Sequence, residues 1–126
     1  MAKFENKEAI KSNLTALNNF SRSIEASAVM TRDGFPVVTL LSDDVDADRL
    51  SAMSASMLSL AEKAVTDLKR GNLEQVMIHS SEGFFILVKV NQEAVLSVIS
   101  KKDTKLGMLL LETQKAARSI AKHFVG

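Results

Sequence analysis

The chain has 126 residues, and its 16 Lys or Arg residues against 15 Asp or Glu residues give a formal net charge of +1. This length suffices for one domain with a buried core, so we expect a single domain over residues 1–126. The lack of cysteine excludes disulfides and thiolate metal sites, and the balanced charge gives no field that would select nucleic acid or an anionic membrane.

The first half of the sequence predicts a helix followed by a hairpin. Apolar residues at helical spacing indicate a helix over about residues 4–20. Residues 24–31 alternate with the period of a strand, and residues 35–41 form the return strand, because the Asp33-Gly34 pair between them is a strong turn signal. Pro36 predicts an edge position for that return strand, since proline has no N–H to donate.

The second half predicts a long helix, three strands and a final helix. Aspartates supply candidate N-caps for a helix over about residues 46–70, and Gly71 is a candidate C-cap. Strands follow over about residues 73–80, 84–91 and 94–100, and the last helix covers about residues 106–124. The N-terminus lacks a signal-peptide core and no apolar run has the length of a membrane span, so we expect a cytoplasmic protein that does not insert into a membrane.

These elements predict an α+β fold with a five-stranded antiparallel sheet. Residues 84–88 are apolar on both faces of their strand, so helices should cover both faces of the sheet. Five strands span about 20–25 Å, whereas one helix covers about 10 Å. The face with a single helix should therefore keep a bare apolar stripe, and a second copy of the chain is its commonest occupant.

The second helix combines an apolar stripe with small residues. The stripe that we expect to face the core comprises Leu50, Met53, Met57, Ala61, Ala64, Val65 and Leu68. Small residues on its other sides permit another helix to approach closely, although a neutral face in contact with solvent is the alternative. We interpret this helix as one half of an antiparallel pair across a dimer axis, with Met53 and Leu60 at the seam.

The sequence contains no constellation suited to catalysis or to metal binding. It has neither a phosphate-binding loop nor a dinucleotide fingerprint, and His79 and His123 lie on different elements without a second ligand at metal-binding spacing. The Asp44-x-Asp46-x-Asp48 motif resembles the start of a calcium loop, but Arg49 and Ala55 occupy the places that need Gly and Glu. We therefore predict no catalytic residue, no cofactor and no metal, and a protein that is not an enzyme.

The element order and four stretches of sequence resemble the roadblock / dynein light chain family in its prokaryotic branch. The stretches are residues 28–38, 50–68, 74–78 and 105–112, and the resemblance covers about residues 6–124. It implies a roadblock/profilin-like fold and a dimer, homomeric or heteromeric, in which the second helices pack antiparallel and the third strands pair edge to edge. The dimer-interface residues that we predict are Ala52, Met53, Ser56, Leu60, Gln75 and Met77.

The resemblance also implies a function. Prokaryotic members are similar to the gliding-polarity regulator, which binds a small Ras-like GTPase and stimulates its hydrolysis by repositioning the GTPase's own residues. We expect a non-enzymatic dimeric regulator or scaffold of such a GTPase; whether it activates, inhibits or tethers its partner is left open. The partner-binding residues that we predict lie on the exposed sides of the second helix and are Asp48, Arg49, Ser59, Lys63 and Asp67.

Two other functions fit the same pattern. A mixed α/β domain of this kind also occurs as a small-molecule sensor, with the ligand held between sheet and helix. The chain is alternatively a structural dimerisation module that has no GTPase partner and binds a longer scaffold protein.

Overall fold

The elements follow the predicted order in the computed structural model, which describes residues 3–4 and 6–125. The helices are α1 (Lys7–Phe20), α2 (Ala47–Asp67) and α3 (Leu106–Ala121). The strands are β1 (Lys3–Phe4), β2 (Ile24–Thr31), β3 (Pro36–Leu40), β4 (Val76–Ser80), β5 (Gly83–Lys89), β6 (Ala94–Lys101) and β7 (Phe124–Val125). The α+β order helix-β-β-helix-β-β-β-helix is confirmed, with β1 and β7 added at the ends.

The two ends of the chain differ from the prediction. The first helix starts at Lys7 because the Asn6 side chain caps it, accepting a 3.0 Å hydrogen bond from the Ala9 N–H. The predicted helix included residue 5, which lies outside the described residues, and residues 3–4, which form β1 instead. The final helix ends at Ala121, and β7 pairs antiparallel with β1. No local pattern in the sequence predicts this pairing, because β1 and β7 lie at opposite ends of the chain.

The main sheet has five antiparallel strands in the order β3-β2-β6-β5-β4. The edge position that Pro36 predicted is confirmed, since β3 is one edge of this sheet. The other edge is β4. The apolar strands β5 and β6 occupy inner positions, where helices cover both of their faces.

The helices divide between the two faces as the coverage argument predicted. On one face α1 and α3 pack on the sheet around a core that includes Ile10, Leu109 and Ile86. On the other face α2 packs alone around a core that includes Leu58 and Leu87. The neighbouring residues Ile86 and Leu87 of β5 thus serve opposite cores, as the two-residue period of a strand requires.

The core stripe that we predicted for α2 is wrong at several positions. Its buried residues are Leu50, Ser51, Ser54 and Leu58. From the predicted stripe, Met53 is 48% exposed, Ala64 and Leu68 are exposed, and Met57, Ala61 and Val65 are only half-buried. The cause is the β2–β3 turn, which lies so close that a Cβ on Gly34 would be 3.3 Å from the Ala52 Cα and 3.4 Å from the Ser51 carbonyl oxygen. Small side chains therefore face the turn, and the methionine side of the helix is rotated towards solvent.

Candidate dimer and partner interface

An apolar groove runs between α2 and the outer part of the sheet. Its volume is about 500 Å³, and its walls are Leu50, Met53 and Met57 of α2 and Ile78, Phe85 and Ile99 of the sheet. The N-terminal end of α2 closes one end of the groove with Arg49 and the preceding residues Asp44, Val45 and Asp46. The groove lies where a single helix leaves the sheet uncovered, which is the bare stripe that the coverage argument predicted.

The register of β4 decides which of its side chains reach this groove. Ile78 pairs with Phe85, which packs with the α2-side core, whereas Met77 pairs with Ile86, which belongs to the core under α1 and α3. Paired residues of neighbouring strands point to the same face. Ile78 therefore faces α2, and Met77 faces the other side. The sequence analysis did not select Ile78, because the strand period gives two alternating sets of residues without saying which set faces which helix.

An exposed apolar ridge on α2 borders the groove. Met53 is 48% exposed and Leu60 is 69% exposed. They are seven residues apart, which places them on one stripe of the helix, about 10 Å apart along its axis. Ser56 and Met57 lie between them, Ser56 exposed and Met57 half-buried. The ridge and the groove together form a continuous apolar surface.

The edge strand β4 extends this surface. Its residues Met77, Ile78, His79 and Ser80 are all exposed. Within the described part of the chain, β5 is the one strand that pairs with β4. The outer side of β4 therefore presents backbone N–H and C=O groups that suit pairing with another strand.

The remaining predicted dimer residues lie around this surface. Ala52 is exposed on α2, with its Cα next to the β2–β3 turn. Gln75 is half-buried just before β4, and its side-chain oxygen accepts a 3.0 Å hydrogen bond from Gln114 Nε2 of α3. The structure thus brings Met53, Ser56 and Leu60 together on one side of α2, while Gln75 and Met77 belong to the opposite side of the edge strand.

The predicted partner-binding residues are all exposed on α2. They are Asp48, Arg49, Ser59, Lys63 and Asp67. Lys63 Nζ and Asp67 Oδ2 form an exposed ion pair at 3.2 Å, one helical turn apart. Since two of the five residues are acidic and two are basic, this outer surface of the helix carries no net charge.

A cluster of charged side chains, which the sequence analysis missed, ties α2 to the sheet. The carboxylate of Glu62 accepts hydrogen bonds from the guanidinium of Arg32, in the β2–β3 turn, and from Lys89 Nζ of β5 at 3.1 Å. Burial raises the pKa of the Glu62 carboxyl, but the hydrogen bond from Lys89 and the positive charge of Arg32 outweigh it, so the pKa lies below its ordinary value. No local pattern in the sequence predicts that Glu62 interacts with Arg32 and Lys89, which are distant from it in the chain.

The remaining features are the ring of His79, possible metal ligands and possible membrane-spanning helices. The ring of His79 stacks on that of Phe84, with centroids 4.4 Å apart. Across residues 3–4 and 6–125, no group of three His, Cys, Asp or Glu side chains is placed to hold a metal ion. Nor does this part of the chain contain a helix long and apolar enough to cross a membrane.

Comparisons with known proteins agree with this architecture. The family model for the Roadblock/LC7 domain matches residues 12–100. Uncharacterized protein MJ1340 of Methanocaldococcus jannaschii is 29% identical over 106 residues, covering 84% of this chain and 92% of that protein.

Two solved structures share the fold. Myxococcus xanthus MglB superposes with a TM-score of 0.85 at 16% identity, covering 91% of this chain and 94% of that one. A Roadblock/LC7 domain from Streptomyces avermitilis superposes with a TM-score of 0.83 at 16% identity, covering 89% and 94%. With its helix order, its five-stranded sheet and the match to the family model, this chain belongs to the Roadblock/LC7 domain family.

Proposed function

We propose that this chain is a non-enzymatic regulator or scaffold that forms a dimer and binds a small Ras-like GTPase. The observation that carries the proposal is the continuous apolar surface formed by the α2 ridge, the 500 Å³ groove and the edge strand β4. A surface of this kind on a small domain is typical of a protein-binding face. Family membership supports the same class of function.

A two-fold axis near the middle of α2 explains the spacing of the ridge. Met53 and Leu60 lie equally far from a point between Ser56 and Met57. If two α2 helices pack antiparallel about that point, Leu60 of each copy meets Met53 of the other and fills the groove beside it. The same axis brings the two β4 edges together, so that the sheets join. Ala52, Gln75 and Met77 remain predicted contacts at the margin of this interface.

The GTPase is proposed to dock on the side of α2 that points away from the sheet. The resemblance to the gliding-polarity regulator supports this partner class, and the exposed set Asp48, Arg49, Ser59, Lys63 and Asp67 supplies the polar contacts. The proposed action is to favour one conformation of the partner by binding it more tightly than the others. Such an action requires no residue of this chain inside the GTPase active site.

The proposal is tested with the purified chain and the Ras-like GTPase whose gene lies nearest to its own. Sedimentation velocity reports the mass of the chain alone. Titration calorimetry then measures binding to the GTPase loaded with GDP or with a non-hydrolysable GTP analogue. We expect a dimer and a complex in one of the two nucleotide states. A dimer that binds the GTPase in neither nucleotide state would exclude the GTPase as partner and leave the sensor or the dimerisation module as the function. A monomer would exclude the proposed dimer.

A further inference from the structure

The charges of this chain are unevenly divided between the α1/α3 side and the rest of the molecule. Residues 7–25 and 101–122, which form α1, α3 and their adjoining loops, contain nine Lys or Arg residues against four Asp or Glu residues, a net charge of +5. Since the whole chain carries +1, the remaining residues carry −4. The composition of the whole chain did not reveal this division, because the two parts nearly cancel.

The outward side of α3 combines basic and apolar side chains. Its exposed side chains and the two lysines that flank the helix recur at spacings of three and four residues, so they form one stripe, the α3 stripe: Lys105, Met108, Leu111, Lys115, Arg118 and Lys122. Glu112, the one acid of α3, is half-buried and lies 3.4 Å from Lys115. Neither Lys105, Arg118 nor Lys122 forms an ion pair with another residue of the described chain.

The end of α1 places an aromatic ring beside this stripe. Phe20 is 43% exposed and lines a recess of about 430 Å³ together with Lys105 and Met108. Met108 and Leu111, one helical turn apart, are 46% and 49% exposed. Three large apolar side chains are therefore accessible at the end of the molecule where α3 begins.

Two loops add charge at the same end. The Lys101 N–H donates to the Ser23 carbonyl oxygen at 2.7 Å, so the end of β6 lies against the loop between α1 and β2. Asp103 lines the same recess as Phe20, and Glu82 of the β4–β5 turn lies 3.8 Å from Lys102. The exposed basic residues of this end outnumber these two acids: they are Arg22, Lys101, Lys102 and Lys105.

This combination suits the surface of an anionic membrane. Lysines attract negative headgroups without a fixed geometry, and exposed Phe, Met and Leu side chains reach the boundary of the acyl chains. A single-stranded nucleic acid needs several aromatic rings for stacking, whereas residues 7–25 and 101–122 contain one aromatic residue, Phe20. An acidic protein is the poorer fit, because protein interfaces are depleted in lysine and three of the four basic residues in the α3 stripe are lysines.

We propose that the α3 stripe and Phe20 bind the surface of an anionic bilayer, with their side chains among the headgroups and the backbone outside the bilayer. The opposite side of the sheet, with the α2 ridge and the groove, then faces the aqueous phase. The proposal depends neither on the GTPase nor on the dimer. In the proposed dimer, joined sheets place both α3 stripes on the same side, so that both contact one bilayer and strengthen its binding.

The test measures co-sedimentation of the whole chain with vesicles of phosphatidylcholine alone or of equal parts phosphatidylcholine and phosphatidylglycerol. We expect binding to the mixed vesicles only, and weaker binding as ionic strength rises. Lys115→Gln/Arg118→Gln should weaken binding by about 25-fold or more, since each basic residue near an anionic surface contributes a factor of about five. The matched control, Lys69→Gln/Arg70→Gln, removes the same two charges from exposed positions beyond α2 and should bind within about twofold of the wild type.

Met108→Ala/Leu111→Ala tests the apolar part of the surface. Because about half of each side chain is exposed and free to be buried, this variant should bind the mixed vesicles about tenfold more weakly or worse, with the salt dependence of the wild type. Circular dichroism verifies that every variant is folded.

The outcomes are independent of the proposed function, because no GTPase is present. Wild-type protein that binds the mixed vesicles no better than pure phosphatidylcholine would overturn the proposal, and binding to poly-glutamate in the absence of vesicle binding would assign the surface to an acidic protein. Equal vesicle affinity of the two charge variants would show that the α3 stripe is not the contact surface. Unchanged affinity of Met108→Ala/Leu111→Ala would exclude the apolar contact.

Discussion

Removing the side chain of Leu60 should separate the proposed dimer without unfolding the protomer. Leu60 is 69% exposed on α2, so its side chain contributes little to the core of one chain. In the antiparallel arrangement, each copy buries this side chain against Met53 and the groove of the other copy. Leu60→Ala therefore removes apolar contact from the interface twice, once for each protomer, while alanine preserves the helix.

The exposure of Leu60 sets the size of the expected effect. Fully burying a leucine side chain is worth about 1.5–3 kcal/mol. Since 69% of Leu60 is exposed in one chain, dimerisation has about two-thirds of that free energy to gain, or about 1–2 kcal/mol for each copy. Two copies give about 2–4 kcal/mol, and because about 1.4 kcal/mol changes an equilibrium constant tenfold, the dimer dissociation constant should rise by about 30-fold to about 700-fold.

Sedimentation equilibrium over a dilution series measures this constant, and circular dichroism shows whether the protomer stays folded. Leu111→Ala is the matched control, since it makes the same substitution at an exposed helical position on the opposite face. We expect its dissociation constant to equal that of the wild type. Equal constants for Leu60→Ala and Leu111→Ala would show that the α2 ridge is not the dimer interface.

Three further substitutions test the forces within one chain. Glu62→Gln removes the charge shared by two ion pairs and should lower the free energy of unfolding by about 0.4–2 kcal/mol at neutral pH. Because the folded-state pKa of Glu62 is lowered, its stabilisation is present above the unfolded-state pKa and disappears as the pH falls through the folded value, so melting curves of variant and wild type should converge in acid. Gly83→Ala, at φ +152°, places a Cβ 1.9 Å from the Ser100 carbonyl oxygen. It should lower the free energy of unfolding, measured by urea denaturation, by about 3–5 kcal/mol. Ser54→Ala removes a buried hydroxyl that has no hydrogen-bond partner in the described structure and should raise the stability by about 1 kcal/mol; a loss of stability would show that the hydroxyl does have a partner.

Local signals predicted most of the fold. Asp33-Gly34 marked the hairpin turn, and Gly34 has the positive φ of 96° that such a turn favours. Pro36 marked an edge strand because its missing N–H is tolerated there. The doubly apolar strand β5 required helices on both faces, and that requirement also predicted the bare stripe beside α2. Each of these inferences depends on residues that are close together in the sequence.

The errors arose where distant segments meet. Hydrophobicity assigned Met53 to the core, but α2 turns Ser51, Ser54 and Leu58 inward instead, with the β2–β3 turn packed against Ala52 and Ala55. Met77 stays a predicted dimer contact on the edge strand, but the sequence did not show that the pairing with β5 turns its neighbour Ile78 towards α2. The spacing of apolar residues in the sequence does not determine which way a helix is rotated about its axis or how a strand is registered. Both depend on the elements that pack against that helix or strand.

The roll of α2 determines the surface that is proposed for the dimer. The small residues Ala52 and Ala55 let the helix lie against the β2–β3 turn, and in this position Met53 and Leu60 lie on the exposed ridge and not in the core. The ion pairs of Glu62 with Arg32 and Lys89 hold the helix, the turn and the sheet together. A larger side chain at Ala52 or Ala55 would separate helix and turn, and would thereby disturb the ridge. The small residues of α2 therefore act through the placement of the helix, and the large apolar residues at its margins supply the contacts.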